Sequence, residues 1–273
     1  MMRRTILARG CLIKPSFRTA RSVDPKSSYW IPAYAGMKQD ELIGPPLTES
    51  PITCPSLTTV NQPDNNLMLE AAELSCIRDD RTLFSKLAFR LEPGEALVLE
   101  GRNGSGKTSL LRILCGIRLP DAGTVSWGGT DIGKLGPDYH VHTAYVGHRD
   151  GIKLDLTPLE NLAMARALGK PNDTTLEAAL EKVDLYGFED VLTRNLSAGQ
   201  QRRLALARLL VTDTVLWILD EPFTSLDVHG IRVVEELLDQ HTSSGGMLAV
   251  TSHHAVNLAN TTVQRINLSE LAA

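Results

Sequence analysis

The run Ala96-Leu97-Val98-Leu99-Glu100, together with the glycine-rich loop after it, constrains this chain more than any other feature. The loop reads Gly101-Arg102-Asn103-Gly104-Ser105-Gly106-Lys107-Thr108, after which Leu110, Leu111, Ile113, Leu114 and Ile117 fall at helical spacing. A short strand that is apolar from Ala96 to Leu99 reads as buried, as the strands of a parallel sheet covered on both faces are. The loop after it has the form G-x-x-x-x-G-K-[ST]. Glycines at 101, 104 and 106 let the backbone curl so that successive N–H groups face one point. The helix beyond the loop adds the positive end of its dipole. Such a cradle suits a polyphosphate, whose many negative charges need donors without side-chain bulk. Residues 101–109 are therefore read as a nucleotide site formed by Gly101, Arg102, Asn103, Gly104, Ser105, Gly106, Lys107, Thr108 and Ser109. Lys107 is expected to reach the β- and γ-phosphates, and Thr108 to place its hydroxyl on Mg²⁺.

A second apolar strand, Leu216-Trp217-Ile218-Leu219, ends in two acids, Asp220 and Glu221. Asp220 at the strand's end is placed to hold Mg²⁺, directly or through water. Glu221 is expected to orient and deprotonate an attacking water. Between these elements, Leu196-Ser197-Ala198-Gly199-Gln200 opens a helix with the spacing of a capping box, leaving N–H groups exposed as a further anion site. All seven histidines lie beyond residue 139. Two of them, in Thr251-Ser252-His253-His254, come directly after an apolar strand. His140 and His142 form H-x-H with no third ligand in view and are read as solvated.

Leu196–Gln200 resembles the LSGGQ signature peptide of ATP-binding-cassette ATPases, with Ala198 at the usual first glycine, and Pro222-Phe223-Thr224-Ser225-Leu226-Asp227 resembles their D-loop. The resemblance covers essentially all of residues 68–273. It implies an α/β P-loop NTPase with a mainly parallel sheet core, an antiparallel β subdomain and a helical subdomain at about 153–210. It further implies that Ser197, Ala198, Gly199 and Gln200 contact the γ-phosphate bound by a second copy, that Asp227 belongs to the D-loop, and that His253 is the switch histidine. The position of the family's Q-loop glutamine falls on His148. Arg78 stands nearest the expected adenine-stacking site, where its guanidinium can stack in place of a tyrosine. Arg78–Phe84, Gly147–Lys153 and Leu196–Arg203 are similar to the ATP-binding subunits of cytochrome c biogenesis (Ccm) heme exporters. Such subunits sit on the cytoplasmic face of the bacterial inner membrane, peripheral to it. They pair with themselves and dock on integral-membrane subunits, which handle the heme. The implied reaction is ATP hydrolysis coupled to heme delivery and release of a holo heme chaperone.

Composition sets bounds on this reading. Residues 1–67 hold eight Lys and Arg against five Asp and Glu, whereas the remaining residues hold 20 basic and 27 acidic ones. An acidic body argues against a nucleic-acid partner, which calls for a basic face. The four cysteines, Cys11, Cys54, Cys76 and Cys115, show no metal-ligand spacing, and Cys115 is read as a core residue. No apolar stretch approaches the roughly 18–20 residues needed to cross a bilayer. Eight of the fourteen prolines fall before residue 64, and no periodic apolar pattern survives there. Residues 1–67 are therefore expected to be a disordered extension. Their basic start allows a transit peptide, but Tyr29–Met37 resembles translated bacterial intergenic repeat, which favours a mis-assigned start with Met68 as the biological one.

From Met68 onward, strands are expected at Leu67–Leu74 and Leu87–Leu91 about a polar turn at Asp79-Asp80-Arg81, with a hairpin around Val125–Trp127. Capping boxes at Thr157-Pro158-Leu159-Glu160, Thr174-Thr175-Leu176-Glu177 and Ser197–Gln200 open successive helices. Core strands return at Val215–Leu219 and Leu248–Thr251 around a helix Ile231–His241. Competing classes fit less well. Soluble cassette ATPases of ribosome or DNA commonly fuse two cassettes, a P-loop kinase does not call for Leu196–Gln200, and a non-hydrolysing scaffold does not need Lys107, Asp220, Glu221 and His253 together.

Overall fold

The computed structural model describes residues 67–253 and 255–271. The expectations for residues 1–66, including Cys11 and Cys54, and for His254 lie outside the described residues. The chain begins with two long antiparallel strands, Leu69–Arg78 (β1) and Arg81–Leu91 (β2). Asp79 and Asp80 between them have φ of 50° and 58°, the geometry of a two-residue type I′ hairpin, and Arg78 pairs with Arg81. Both strands outrun the alternation visible in the sequence. Glu73 and Lys86, at φ 52° and 53°, are bulges that shift the register and break the period-two pattern.

Strand β3, Glu95–Glu100, leads through the glycine-rich loop into helix α1, Lys107–Leu114. Ile117, expected on this helix, lies beyond it and is 62% exposed. The helix stops because Gly116, at φ 69°, returns its N–H to Ile113 O (2.9 Å) while Ile117 N bonds Arg112 O (3.0 Å). Next come β4, Ala122–Trp127, and β5, Thr130–Asp131, which complete an antiparallel sheet of order β2-β1-β4-β5. Two single-turn helices, α2 (Ile132–Leu135) and α3 (Pro137–His140), precede β6, Thr143–Val146.

The helical part comprises α4 (Pro158–Leu168), α5 (Leu176–Lys182) and α6 (Ala198–Ala207), which tightens into a 3₁₀ turn at Arg208–Val211. The boxes at Thr157 and Ser197 form as expected. At α5 the cap is Thr175, not Thr174: Thr174 N is held by Asn172 Oδ1 (3.0 Å), which delays the helix by one residue. Buried Asn161 on α4 ties the preceding loop to this layer, donating to Lys153 O, Thr157 O and Thr193 Oγ1 and accepting from Lys153 N.

Strand β7 (Leu216–Asp220), helix α7 (Val228–Ser243), β8 (Met247–Thr251) and β9 (Thr262–Asn267) complete a parallel sheet of order β6-β7-β8-β3-β9. Alternate residues of its central strands enter two separate cores. Leu97, Leu99, Leu216, Ile218, Met247 and Ala249 face α1 and the antiparallel sheet. Ala96, Val98, Trp217, Leu219, Leu248 and Val250 face the helical layer and α7. Covering on both faces is why these strands read as unbroken apolar runs.

Candidate active site

Three strand ends meet where β7, β8 and β3 lie side by side, the place at which an open α/β sheet builds its ligand crevice. The loop after β3 packs too tightly for side chains. A Cβ on Gly101 (φ 137°) would stand 2.7 Å from Ser105 Oγ, and one on Gly106 (φ 103°) would stand 3.0 Å from Leu83 Cβ. Lys107 is buried, and its ammonium donates to Gly101 O (2.6 Å) and Arg102 O (3.3 Å).

Asp220 ends β7 with only 2% exposure, and both its oxygens are engaged. Thr108 Oγ1 donates to Oδ2 (2.8 Å), and Thr251 Oγ1 donates to Oδ1 (2.8 Å). The Thr251 hydroxyl also accepts from Glu221 N at 2.8 Å. One threonine thus fixes both acids, and a second ties the pair to the phosphate loop. Glu221 has φ 52°, a sparsely populated conformation for a residue with a side chain, of the kind that persists where surrounding bonds enforce it. Its carboxylate lies 3.2 Å from His253 Nε2, the imidazole being about half exposed. A cleft of about 790 Å³ is lined by Arg78, Lys107, Thr108, His148 and Glu221, among others. The chain therefore brings His148 and the exposed Arg78 to the same opening as the loop and the second acid.

Ser197 caps α6: its hydroxyl accepts from Gln200 N (3.2 Å), and Gln200 Oε1 accepts from Ser197 N (2.8 Å). Ala198 is the first residue of that helix and is not among the described residues with positive φ, so its methyl is accommodated. Gly199 packs so closely on the D-loop that a Cβ would stand 2.9 Å from Ser225 O. None of Ser197, Ala198, Gly199 and Gln200 lines the clefts at the phosphate loop. Asp227 caps α7, accepting from Gly230 N at 2.7 Å.

Sequence reasoning missed Thr251 as a positioning group, and it missed Arg202. Buried in α6, Arg202 donates to Gly147 O, Asp220 O, Glu221 O and Pro222 O, and pairs with Asp150 at 2.8 Å. One guanidinium therefore joins the signature helix, the two acids and the His148 segment. The available signal was an arginine in phase with buried Ala205 and Leu206. Cys115 is buried, and desolvation, with the Asp220 charge nearby, pushes its thiol well above the usual range, as fits a core residue. His140 is exposed, and His142 stacks on Trp127 with centroids 5.8 Å apart. Among the described residues, no helix is long and apolar enough to cross a membrane.

Residues 84–224 match the family model described as ABC transporter. The chain is 49% identical over 208 residues to the cytochrome c biogenesis ATP-binding export protein CcmA of Escherichia coli (strain UTI89), covering 76% of this chain and 99% of that one. It is 48% identical over 204 residues to the CcmA protein of Nitrosomonas europaea, covering 74% of this chain and 96% of the relative. Among solved structures, a putative ABC transporter ATP-binding protein from Pyrococcus furiosus superposes with a TM-score of 0.66 at 23% identity, covering 76% of this chain and all of the other.

Proposed function

Because this chain belongs to the ABC transporter family of ATP-binding proteins, we propose that it is the ATP-hydrolysing subunit of a heme exporter supporting c-type cytochrome biogenesis. The observation that carries the enzymatic part is the bonded series Thr108–Asp220–Thr251–Glu221, with His253 at its end. It ties the phosphate loop to two carboxylates of different character, one buried and doubly bonded, the other open to the cleft. In this reading residues 101–109 cradle the phosphates, and Lys107 shares its ammonium between the loop carbonyls and the β- and γ-phosphates. The Thr108 hydroxyl and Asp220 carboxylate are hard oxygen donors 2.8 Å apart, the chemistry that suits Mg²⁺, and they would hold the ion together with phosphate oxygens. Bound there, Mg²⁺ neutralises charge on the phosphates. Glu221 takes the proton of a water as its oxygen bonds the γ-phosphorus and the bond from that phosphorus to the β–γ bridging oxygen breaks, giving ADP and phosphate. His253 orients the Glu221 carboxylate and senses the γ-phosphate, with His148 facing the same cleft.

The exposed N-terminus of α6, with Ser197, Ala198, Gly199 and Gln200, is assigned to the nucleotide of a second copy. The absence of these residues from the lining of their own phosphate cleft supports that assignment. Asp227, by capping α7, sets the D-loop between the two. The cassette comprises residues 68–273, with its helical part at about 153–210. It docks peripherally on integral-membrane subunits at the cytoplasmic face of the bacterial inner membrane, and those subunits handle the heme. Glu221→Gln should retain ATP and accumulate as an ATP-bound dimer while phosphate release collapses by about 10²-fold or more. Unchanged turnover would remove Glu221 from its role. Deleting the gene should abolish c-type cytochromes, and normal heme-stained cytochrome c would refute the export assignment while leaving the ATPase intact.

A further inference from the structure

The phosphate loop is held on its outer side by a segment far away in sequence. Strand β9 runs parallel to β3 in register up to Glu100↔Asn267, so the turn after β9 is delivered beside the start of the loop. Leu268 anchors that turn with no exposure. Asn267 shapes it, its Oδ1 accepting from Ser269 N (3.1 Å) and its Nδ2 donating to Glu270 Oε1 (2.6 Å). Ser269 Oγ then accepts from Arg102 N at 2.8 Å, across 167 positions of sequence. The fit is close: a Cβ on Gly101 would stand 3.1 Å from Ser269 Oγ and 3.3 Å from Ser269 N.

We propose that Ser269 is a positioning residue of the nucleotide site, latching the first limb of the phosphate loop in the shape that receives the phosphates. This rests on the reading of residues 101–109 as an ATP cradle. Beside the loop's own turn, in which Ser105 N donates to Arg102 O at 3.1 Å, an inner and an outer contact hold that limb. The inner one, from Lys107 to Gly101 O and Arg102 O, uses the ammonium that must also serve the phosphates. The outer one, from Arg102 N to Ser269, leaves the Lys107 ammonium free for the phosphates. When ATP draws on Lys107, the Ser269 contact remains and, with the turn closed by Ser105 N on Arg102 O (3.1 Å), keeps the limb from relaxing, so its effect falls on nucleotide affinity.

Ser269→Ala, in the full chain, is expected to raise KM for ATP about two- to tenfold with kcat nearly unchanged, the range that one net hydrogen bond supports. Ser269→Thr, which keeps the hydroxyl, should recover most of the loss. Melting temperature without nucleotide should stay as in the parent, while the upward shift produced by ATP with Mg²⁺ shrinks. An unchanged KM in Ser269→Ala overturns the proposal, as does an equal loss in Ser269→Thr. A fall in nucleotide-free melting temperature with an undiminished ATP shift also overturns it, since the contact would then be structural only. Lys107→Ala serves as the control: if ATP still shifts its melting temperature fully, it is the cradle reading that fails, not the latch.

Discussion

Thr251 shows how much a single side chain can decide. Its hydroxyl donates to Asp220 and accepts from the Glu221 backbone, and it is wholly buried. Thr251→Val keeps the shape but takes the Thr251 partner from a buried carboxylate oxygen and from the partly buried Glu221 N–H. A loss of about 2–4 kcal/mol of stability in urea unfolding is expected. Turnover should drop roughly tenfold or more as the Glu221 carboxylate loses its fixed direction. Thr251→Ser keeps both bonds and should hold most of the activity; parity of the two variants in phosphate release would refute the assignment. Neither Thr251 nor Arg202 stood out in the sequence as a site residue, and for one reason. Glycines that need positive φ, and acids at a strand end, mark themselves by local pattern. A threonine within an apolar strand, or an arginine on an apolar helix face, acquires meaning only when its partners, 31 positions away for Thr251 and Asp220, arrive beside it.

At the level of elements, legibility tracks burial. Strands β3, β7 and β8 are covered on both faces, so their apolar runs were plain. Strand β9 lies at the sheet edge with mixed exposure, and β6 is short and half-buried at the other edge; neither carries a pattern that sequence could offer. The end of α7 carries a testable pH effect. His241 stacks on Trp217 (centroids 3.7 Å apart, 6° between planes), and its Nε2 lies 3.1 Å from Val215 O and 3.3 Å from Met247 O, beside the starts of β7 and β8. Carbonyl oxygens only accept, so Nε2 carries the hydrogen that faces them. Burial lowers its pKa from 6.5 to about 4. Below pH 6.5 the unfolded chain therefore takes up a proton that the folded one refuses. Stability should be level above about pH 6.5 and fall by about 3 kcal/mol as the pH drops toward 4. In His241→Phe, which keeps the ring stack but cannot titrate, urea midpoints across this window should lose that component of the slope. An undiminished slope would show that other groups carry it.

The whole molecule presents a phosphate loop and a capped helix end that do not share a cleft. In the proposed reading each is an anion site for the same triphosphate, and the complete site would be shared by two copies related by a two-fold axis, the loop of one facing the helix end of the other. This makes a prediction that no single-chain mechanism shares. Lys107→Ala disables the loop and leaves the Ser197 end intact. Ser197→Arg blocks the helix end with a bulky cation and leaves the loop intact. Each variant alone should be close to inactive, because every site in either homodimer lacks one half. Mixed in equal amounts, half of the dimers carry one chain of each kind, and each such dimer rebuilds one site from the intact loop of one copy and the intact helix end of the other. Phosphate release should then rise to about a quarter of the parent rate if the two sites act independently. If hydrolysis at one site requires the other, the mixture stays silent, while ATP binding by Ser197→Arg persists. Activity in either variant alone at the parent level would place the whole reaction within one chain and dissolve the two-copy site.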